Sequence, residues 1–221
     1  MGQAIKQHFT HIQQLFLKEI CKDAFITETF YLTGGTALSA CYLNHRLSED
    51  IDLFSDTSFD ESRVLASMTR IVSALHVSST LEKIHERLRY DLIFPKQNLL
   101  KIDFVFYDFK HIEPVKYVDN LAVDSIGDIA VNKLLSISQR TASKDYVDLY
   151  FLLKKYTVWD LQHGVEHKFK MEIEPFYLSS LFAKVSEFTD LPIMKKKLTL
   201  DQLKQFFLME AKQLARTMVK P

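Results

Sequence analysis

Arg46-Leu47-Ser48-Glu49-Asp50-Ile51-Asp52-Leu53-Phe54 is the stretch on which the fold of this chain turns. Side chains on a strand alternate between faces, so Asp50 and Asp52 share one face while Ile51 and Leu53 point into a core. An acid pair of this kind is also what an edge strand shows to water, and taken alone the two readings weigh equally. The surroundings shift the balance. Upstream, Thr29-Phe30-Tyr31-Leu32 reads as a strand, Gly34-Gly35 breaks it, and Thr36 to Leu43 looks helical. Glycines in such a turn permit positive φ and close backbone approach, and N–H groups at a helix start favour an anion such as a triphosphate. A Gly-Gly pair by itself is more often only a turn, and no Gly-Lys-Ser/Thr follows to make it a P-loop. Downstream, Lys101-Ile102-Asp103-Phe104-Val105-Phe106 reads as a neighbouring strand that brings a third carboxylate beside the first two. Three crowded acids resist ionising together, and an unpaired charge on a partly apolar face is costly, so the cluster makes most sense with a cation. Mg²⁺, hard and oxygen-seeking, is the natural one.

The remaining pattern fills in a fold. Ile5, Phe9, Ile12, Phe16 and Ile20 recur at helical spacing over residues 3–23, and Asp56 to Glu61 starts a helix that runs to about Val72. Leu88–Phe94 and Ile102–Tyr107, separated by a turn at Pro95 to Asn98, form an antiparallel pair. After the short run Asn120–Val123, Asp124-Ser125 reads as a cap for the helix Ile126–Gln139. Helices at Lys144–Lys155, near Pro175–Phe188 and at Leu200–Met218 follow. Strands lie before about residue 123 and helices after it. The expected class is α+β, with an α+β half over 1–123 followed by a helical half over 124–221.

Composition narrows the function classes. With 47% hydrophobic and 25% charged residues the chain is a folded globular protein, and five Gly and five Pro leave little room for a linker. No stretch approaches the roughly 20 apolar residues of a membrane span. The first ten residues lack a secretory pattern, which predicts a cytoplasmic protein with no membrane partner. Cys21 and Cys41 lack metal-ligand spacing and read as free structural thiols. The 28 basic and 28 acidic side chains balance, yet Lys195, Lys196, Lys197, Lys204, Lys212, Arg216 and Lys220 face only Asp201 and Glu210 in the last segment. That basic region can contact RNA phosphates, although a solvated helix face is the commoner reading.

Other candidates are weaker. Lys133 and Arg140 share a helix face if the helix runs on by one residue, and Asp145 and Asp148 share another; an exposed charged stripe gives the same spacing. His163-Gly164-Val165-Glu166-His167 matches a zinc-protease pattern, but Gly164 weakens the helix it needs, and surface histidines are favoured.

Taken in order, Gly34-Gly35-Thr36-Ala37-Leu38, Arg46-x-Ser48-x-Asp50-Ile51-Asp52-Leu53, Ile102-Asp103-Phe104, Lys133-Leu134 and Asp145-x-x-Asp148-Leu149 resemble the AbiEii/AbiGii toxin family within the DNA polymerase β-type nucleotidyltransferase superfamily. The resemblance spans roughly residues 30–155. It implies the nucleotidyltransferase fold, a mixed β-sheet flanked by helices as the catalytic core over 1–123 with a helical C-terminal part over 124–221 completing the site, together with an NTP substrate, Mg²⁺, and the toxin half of a bacterial toxin–antitoxin or phage-defence pair, hence an antitoxin protein as partner. It implies Asp50 and Asp52 as metal ligands, with Asp103 as the third carboxylate, a base or a further ligand. Gly34, Gly35, Thr36, Arg46 and Ser48 would lie toward the nucleotide, and Lys133 and Asp145 would take part in catalysis. The expected activity is NMP transfer to a hydroxyl of tRNA, another RNA or a protein. A catalytically inactive nucleotide-binding protein, a metal-dependent phosphodiesterase and a protein-binding module are the alternatives.

Overall fold

The computed structural model describes residues 8–217. The chain divides into two compact units, one of residues 1–42 with 48–125 and one of residues 43–47 with 126–221. The five residues 43–47 therefore leave the first unit and return to it.

The first unit is a seven-stranded mixed sheet with helices. α1 (His11–Ile20) begins at a capping box: the Thr10 hydroxyl accepts from the Gln13 N–H, and the Gln13 side chain accepts from the Thr10 N–H. Of the helix expected over 3–23, α1 forms His11–Ile20; Asp23 then caps α2 (Ala24–Thr29), a second helix the sequence reading did not anticipate, and Thr29 ends it rather than opening a strand. Ile5 lies outside the described residues. β1 (Tyr31–Thr33) leads into α3 (Gly34–Ala37), which loosens into a π-helical turn at Leu38–Leu43. β2 (Ile51–Ser55) and α4 (Glu61–Leu75) follow as the sequence suggests. Then come β3 (Ser78–Ile84), β4 (Arg87–Phe94), β5 (Asn98–Phe106), β6 (Lys116–Val118) and β7 (Leu121–Val123). The strand order is β3-β4-β5-β2-β1-β7-β6, with β2 parallel to β5 and antiparallel to β1. One face of β2, β4 and β5 is buried through Ile51, Leu53, Leu88, Leu92, Ile102 and Phe104. Phe30 anchors that core, edge-on to Phe104 at 5.0 Å and to Phe59 at 4.8 Å.

The second unit is helical: α5 (Ile126–Gln139), α6 (Ser143–Leu152), α7 (Val158–Phe169), α8 (Pro175–Ala183) and α9 (Leu200–Thr217). Met218 and Lys220 lie outside the described residues. α6 ends three residues before the predicted Lys155, and α7 forms despite Gly164 because a Thr157–Asp160 capping box starts it. His163, Glu166 and His167 are exposed on α7. Tyr146 is buried edge-on against Phe188 and Phe207, and its hydroxyl donates to the Leu181 carbonyl at 2.5 Å. Cys21 and Cys41 are free, and burial pushes the Cys41 thiol up to about 12, which keeps it unreactive. Among the described residues, no helix is long and apolar enough to cross a membrane.

Candidate active site

The turn after β1 is built around one contact. Gly34 has φ of +72°, and a β-carbon placed on it would lie 2.1 Å from Asp52 Oδ2. The backbone therefore passes against the Asp52 carboxylate at a distance only glycine permits. Register explains why: Thr33, the residue before it, pairs with Asp52 across β1 and β2. The segment carrying Asp50 is pinned at two carbonyls. The Thr36 hydroxyl donates to the carbonyl of Asp50, and Gln13 Nε2 donates to the carbonyl of Ser48 at 2.9 Å. Gln13 is only 1% exposed, and its amide oxygen serves the α1 capping box, so one side chain ties the helix start to the acid segment. Asp50 and Asp52 are partly exposed, and among the described residues Asp50 has no ion-pair partner.

Asp103 is in register with Asp52 on the parallel strand β5, on the same face and about one strand spacing, ~4.8 Å, away. On its other side Asp103 is in register with Arg89 of β4. Arg89 Nε donates to Asp103 Oδ1 at 2.9 Å and Nη2 to Oδ2 at 3.1 Å, while Arg87 Nη1 lies 3.5 Å from Oδ2. The cost of an acid on this face, which from sequence called for a metal, is thus met at Asp103 by a forked guanidinium. Asp50 and Asp52, two hard oxygen donors beside a glycine that leaves room, fit a divalent cation such as Mg²⁺.

A second cluster lies in the helical unit. Lys133 of α5 places Nζ 2.8 Å from Asp145 Oδ1 and 2.7 Å from Asp148 Oδ2, both on α6. Arg140 forks onto Asp145, and Arg46 forks onto Asp148 with Nε at 2.6 Å and Nη2 at 2.8 Å. His45 Nε2 donates to Asp148 Oδ1 at 2.7 Å. Every member except Arg140 is buried. Burial would lift the Asp148 and Asp145 carboxyls, but Lys133 and the arginines hold both below the usual carboxylate range. Burial would also lower Lys133, yet Asp148 and Asp145 outweigh it and keep the ammonium charged. His45 goes the other way: desolvation wins over Asp148 and holds the imidazole neutral. Its Nδ1 is buried with no hydrogen-bond partner among the described residues, so a proton there would have no acceptor.

Of the expected site residues, the first unit brings together Gly34, Gly35, Thr36, Ser48, Asp50, Asp52 and Asp103, and the second brings together Arg46, Lys133 and Asp145. Thr36 and Ser48 act through the Asp50 segment's backbone. Arg46, expected toward phosphate, has its fork on Asp148 and Nη1 on the Leu47 carbonyl. Sequence reasoning missed Gln13, His45 and Arg89. Only the alternation Arg87-x-Arg89 signals the last of these.

Comparison with known proteins agrees with this architecture. The family model described as nucleotidyl transferase AbiEii toxin, type IV toxin–antitoxin system, matches residues 15–218. An uncharacterized protein of Aquifex aeolicus (strain VF5) is 33% identical over 169 residues, 73% of this chain and 72% of the relative. Two solved structures share the fold. JHP933 from Helicobacter pylori has a TM-score of 0.59 at 20% identity, covering 99% of this chain and 94% of that one. MenT4, a nucleotidyltransferase toxin from Mycobacterium tuberculosis H37Rv, has a TM-score of 0.55 at 10% identity, covering 92% and 82%. With the acid pair, its glycine turn and the mixed sheet already in place, the family match settles the class: this chain belongs to the AbiEii nucleotidyl transferase toxin family.

Proposed function

We propose that the chain transfers a nucleoside monophosphate from an NTP to a hydroxyl of an acceptor, RNA or protein, as the toxin half of a toxin–antitoxin pair. The observation that carries this reading is the Asp52 carboxylate, packed against Gly34 and in register with Asp103. Asp50 and Asp52 would hold Mg²⁺, which when bound neutralises and orients the triphosphate. Thr36 and Gln13 fix the carbonyls that set the Asp50 segment, so the two carboxylates are placed before substrate arrives. The acceptor oxygen forms a bond to the α-phosphorus, the bond from that phosphorus to pyrophosphate breaks, and the hydroxyl proton leaves to solvent. Lys133 and Asp145 serve this reaction by position: with Asp148 they hold Arg46, four residues ahead of Asp50. The exposed lysines 195–197 are the proposed contact for an RNA acceptor.

The test is transfer of label from each α-labelled NTP, with Mg²⁺, to total RNA or cell extract. Asp50→Asn and Asp52→Asn should each lose transfer by at least ~10³-fold while keeping the wild-type melting curve. Full transfer by either folded variant refutes the site.

A further inference from the structure

The end of α6, the start of α7 and one face of α9 line a cavity of about 350 Å³ inside the helical unit. Phe206, Glu210, Gln213 and Leu214 fall on one stripe of α9 and form one wall, with Tyr156 and Trp159 across from them. The volume is at the small end of ligand pockets, and the mouth is open to water, where Trp159 is 45% exposed. The walls are aromatic, and the charge in them is a single carboxylate. Glu210 makes no hydrogen bond and no ion pair among the described residues. Burial raises its pKa, and no neighbouring cation pulls it back down. Two of the rings are also unclaimed. Lys155 Nζ stands 5.7 Å from the Tyr156 ring centroid, whereas among the described residues no cation lies over Trp159 or Phe206. Edge-on contacts with Tyr150 at 5.0 Å and Phe207 at 5.2 Å hold the Phe206 ring in place. A half-sheltered carboxylate among aromatic faces attracts a cation twice over, through the charge and through the ring quadrupoles.

We propose that this cavity is a binding site for an arginine side chain of a partner protein. A guanidinium is planar, so it can stack on the Trp159 indole while its N–H groups donate to the Glu210 carboxylate and the Gln213 amide oxygen. Its apolar stem suits Leu214 and Phe206. A lysine ammonium has neither the plane nor the fork, and it sheds its water less readily. The exposed tryptophan at the mouth argues for a protein as the source, because tryptophan and arginine are the residue types that anchor interfaces between proteins. The site lies wholly within the helical unit and uses none of the residues assigned to nucleotidyl transfer, so it stands apart from the proposed function.

Trp159 is the only tryptophan of the chain, so its fluorescence reports on this cavity alone. The probe is the peptide acetyl-Gly-Arg-Gly-amide, titrated into the full chain. Wild type should show a saturable change in Trp159 emission, half complete at a roughly millimolar concentration. The same peptide with citrulline, which keeps the shape and loses the charge, should bind at least ~10-fold more weakly, and the lysine peptide several-fold more weakly. Glu210→Gln should weaken the arginine peptide by at least ~10-fold and keep the wild-type melting curve. No saturable change on wild type, or a citrulline peptide that binds as well as the arginine peptide, overturns the proposal without recourse to any variant. Unchanged affinity in folded Glu210→Gln overturns it as well. Ethylguanidinium binding at least ~10-fold more tightly than the peptide would overturn the assignment to a protein side chain.

Discussion

Gly34→Ala tests the heart of the site, and its size can be worked from the geometry. At φ of +72° an alanine gives up roughly 1–2 kcal/mol relative to glycine. Its β-carbon would also sit 2.1 Å from Asp52 Oδ2 and 2.9 Å from Cγ, so the carboxylate oxygen must move by at least about 1.3 Å to reach ordinary contact. Asp52 is short and sits on a central strand, so that movement means an off-rotamer side chain at about 0.5–1.5 kcal/mol. The sum is about 1.5–3.5 kcal/mol. With a urea slope of about 2 kcal/mol/M the unfolding midpoint should fall by roughly 0.7–1.7 M. The displaced carboxylate should weaken Mn²⁺ binding at least ~10-fold in the same preparation. Gly164→Ala is the control: its β-carbon would meet Val131 Cγ2 at 2.3 Å, but in a helix of the other unit. There about 1–3 kcal/mol of overpacking is offset by about 1 kcal/mol of helix propensity, and Mn²⁺ affinity should not change. A Gly34→Ala protein within about 0.5 kcal/mol of wild type that keeps its Mn²⁺ affinity would refute the reasoning.

Three other outcomes follow from the buried network and the α1 cap. Lys133→Ala leaves two buried carboxylates short of a cation and should cost about 3–5 kcal/mol, a fall in Tm of roughly 6–20 °C; a melt within 2 °C of wild type, which scanning calorimetry would reveal, contradicts a positioning role. His45 is held neutral in the folded state, so below its ordinary value of 6.5 the unfolded chain binds the extra proton and stability falls as pH falls. From pH 7 to 5 the loss should reach at most ~2 kcal/mol and vanish in His45→Gln, as measured by urea unfolding at each pH. Asp145 and Asp148, with lowered values, add stability above about pH 4 that is lost only on further acidification, so the two effects occupy separate windows. Gln13→Ala removes the side-chain half of the capping box and the Ser48 tether, leaving the Thr10 hydroxyl on the backbone N–H of residue 13, and should cost about 1–2 kcal/mol with a several-fold loss of Mn²⁺ affinity; an affinity equal to wild type would show that the tether does not position Asp50.

What could be read from the sequence was whatever leaves a periodic trace. β2, β4 and β5 alternate because one face is buried, and the turn at Pro95 to Asn98 fixes the pairing of β4 with β5. β3 is exposed at all seven positions, so burial imposes no pattern on it. α2 is six residues long, too short for a hydrophobic period to repeat. The acid pair and its glycine turn were legible since both depend on local geometry. Arg89 was not, because its meaning comes from standing opposite Asp103, fourteen residues away across two strands. The Lys133 network was misleading for a related reason: charges three, four and seven apart on helices usually face water, and nothing local says that these are buried.

The excursion of residues 43–47 has a consequence for biosynthesis. Asp148 is 103 residues after His45 and 102 after Arg46, and at about 5–20 residues per second it is made some 5–20 s later. Throughout that interval the guanidinium fork and the imidazole lack the carboxylate they meet in the finished fold, while the strands on either side of them can already pair. The sheet must therefore form around a loop left open for a partner not yet translated. A fragment ending at Ser125 would expose that loop for good, and one starting at Ile126 would bury an aspartate without its arginine. Domain excision, truncation and nascent-chain proteolysis should all meet the same seam, which the order of the codons, rather than the finished contacts, makes vulnerable.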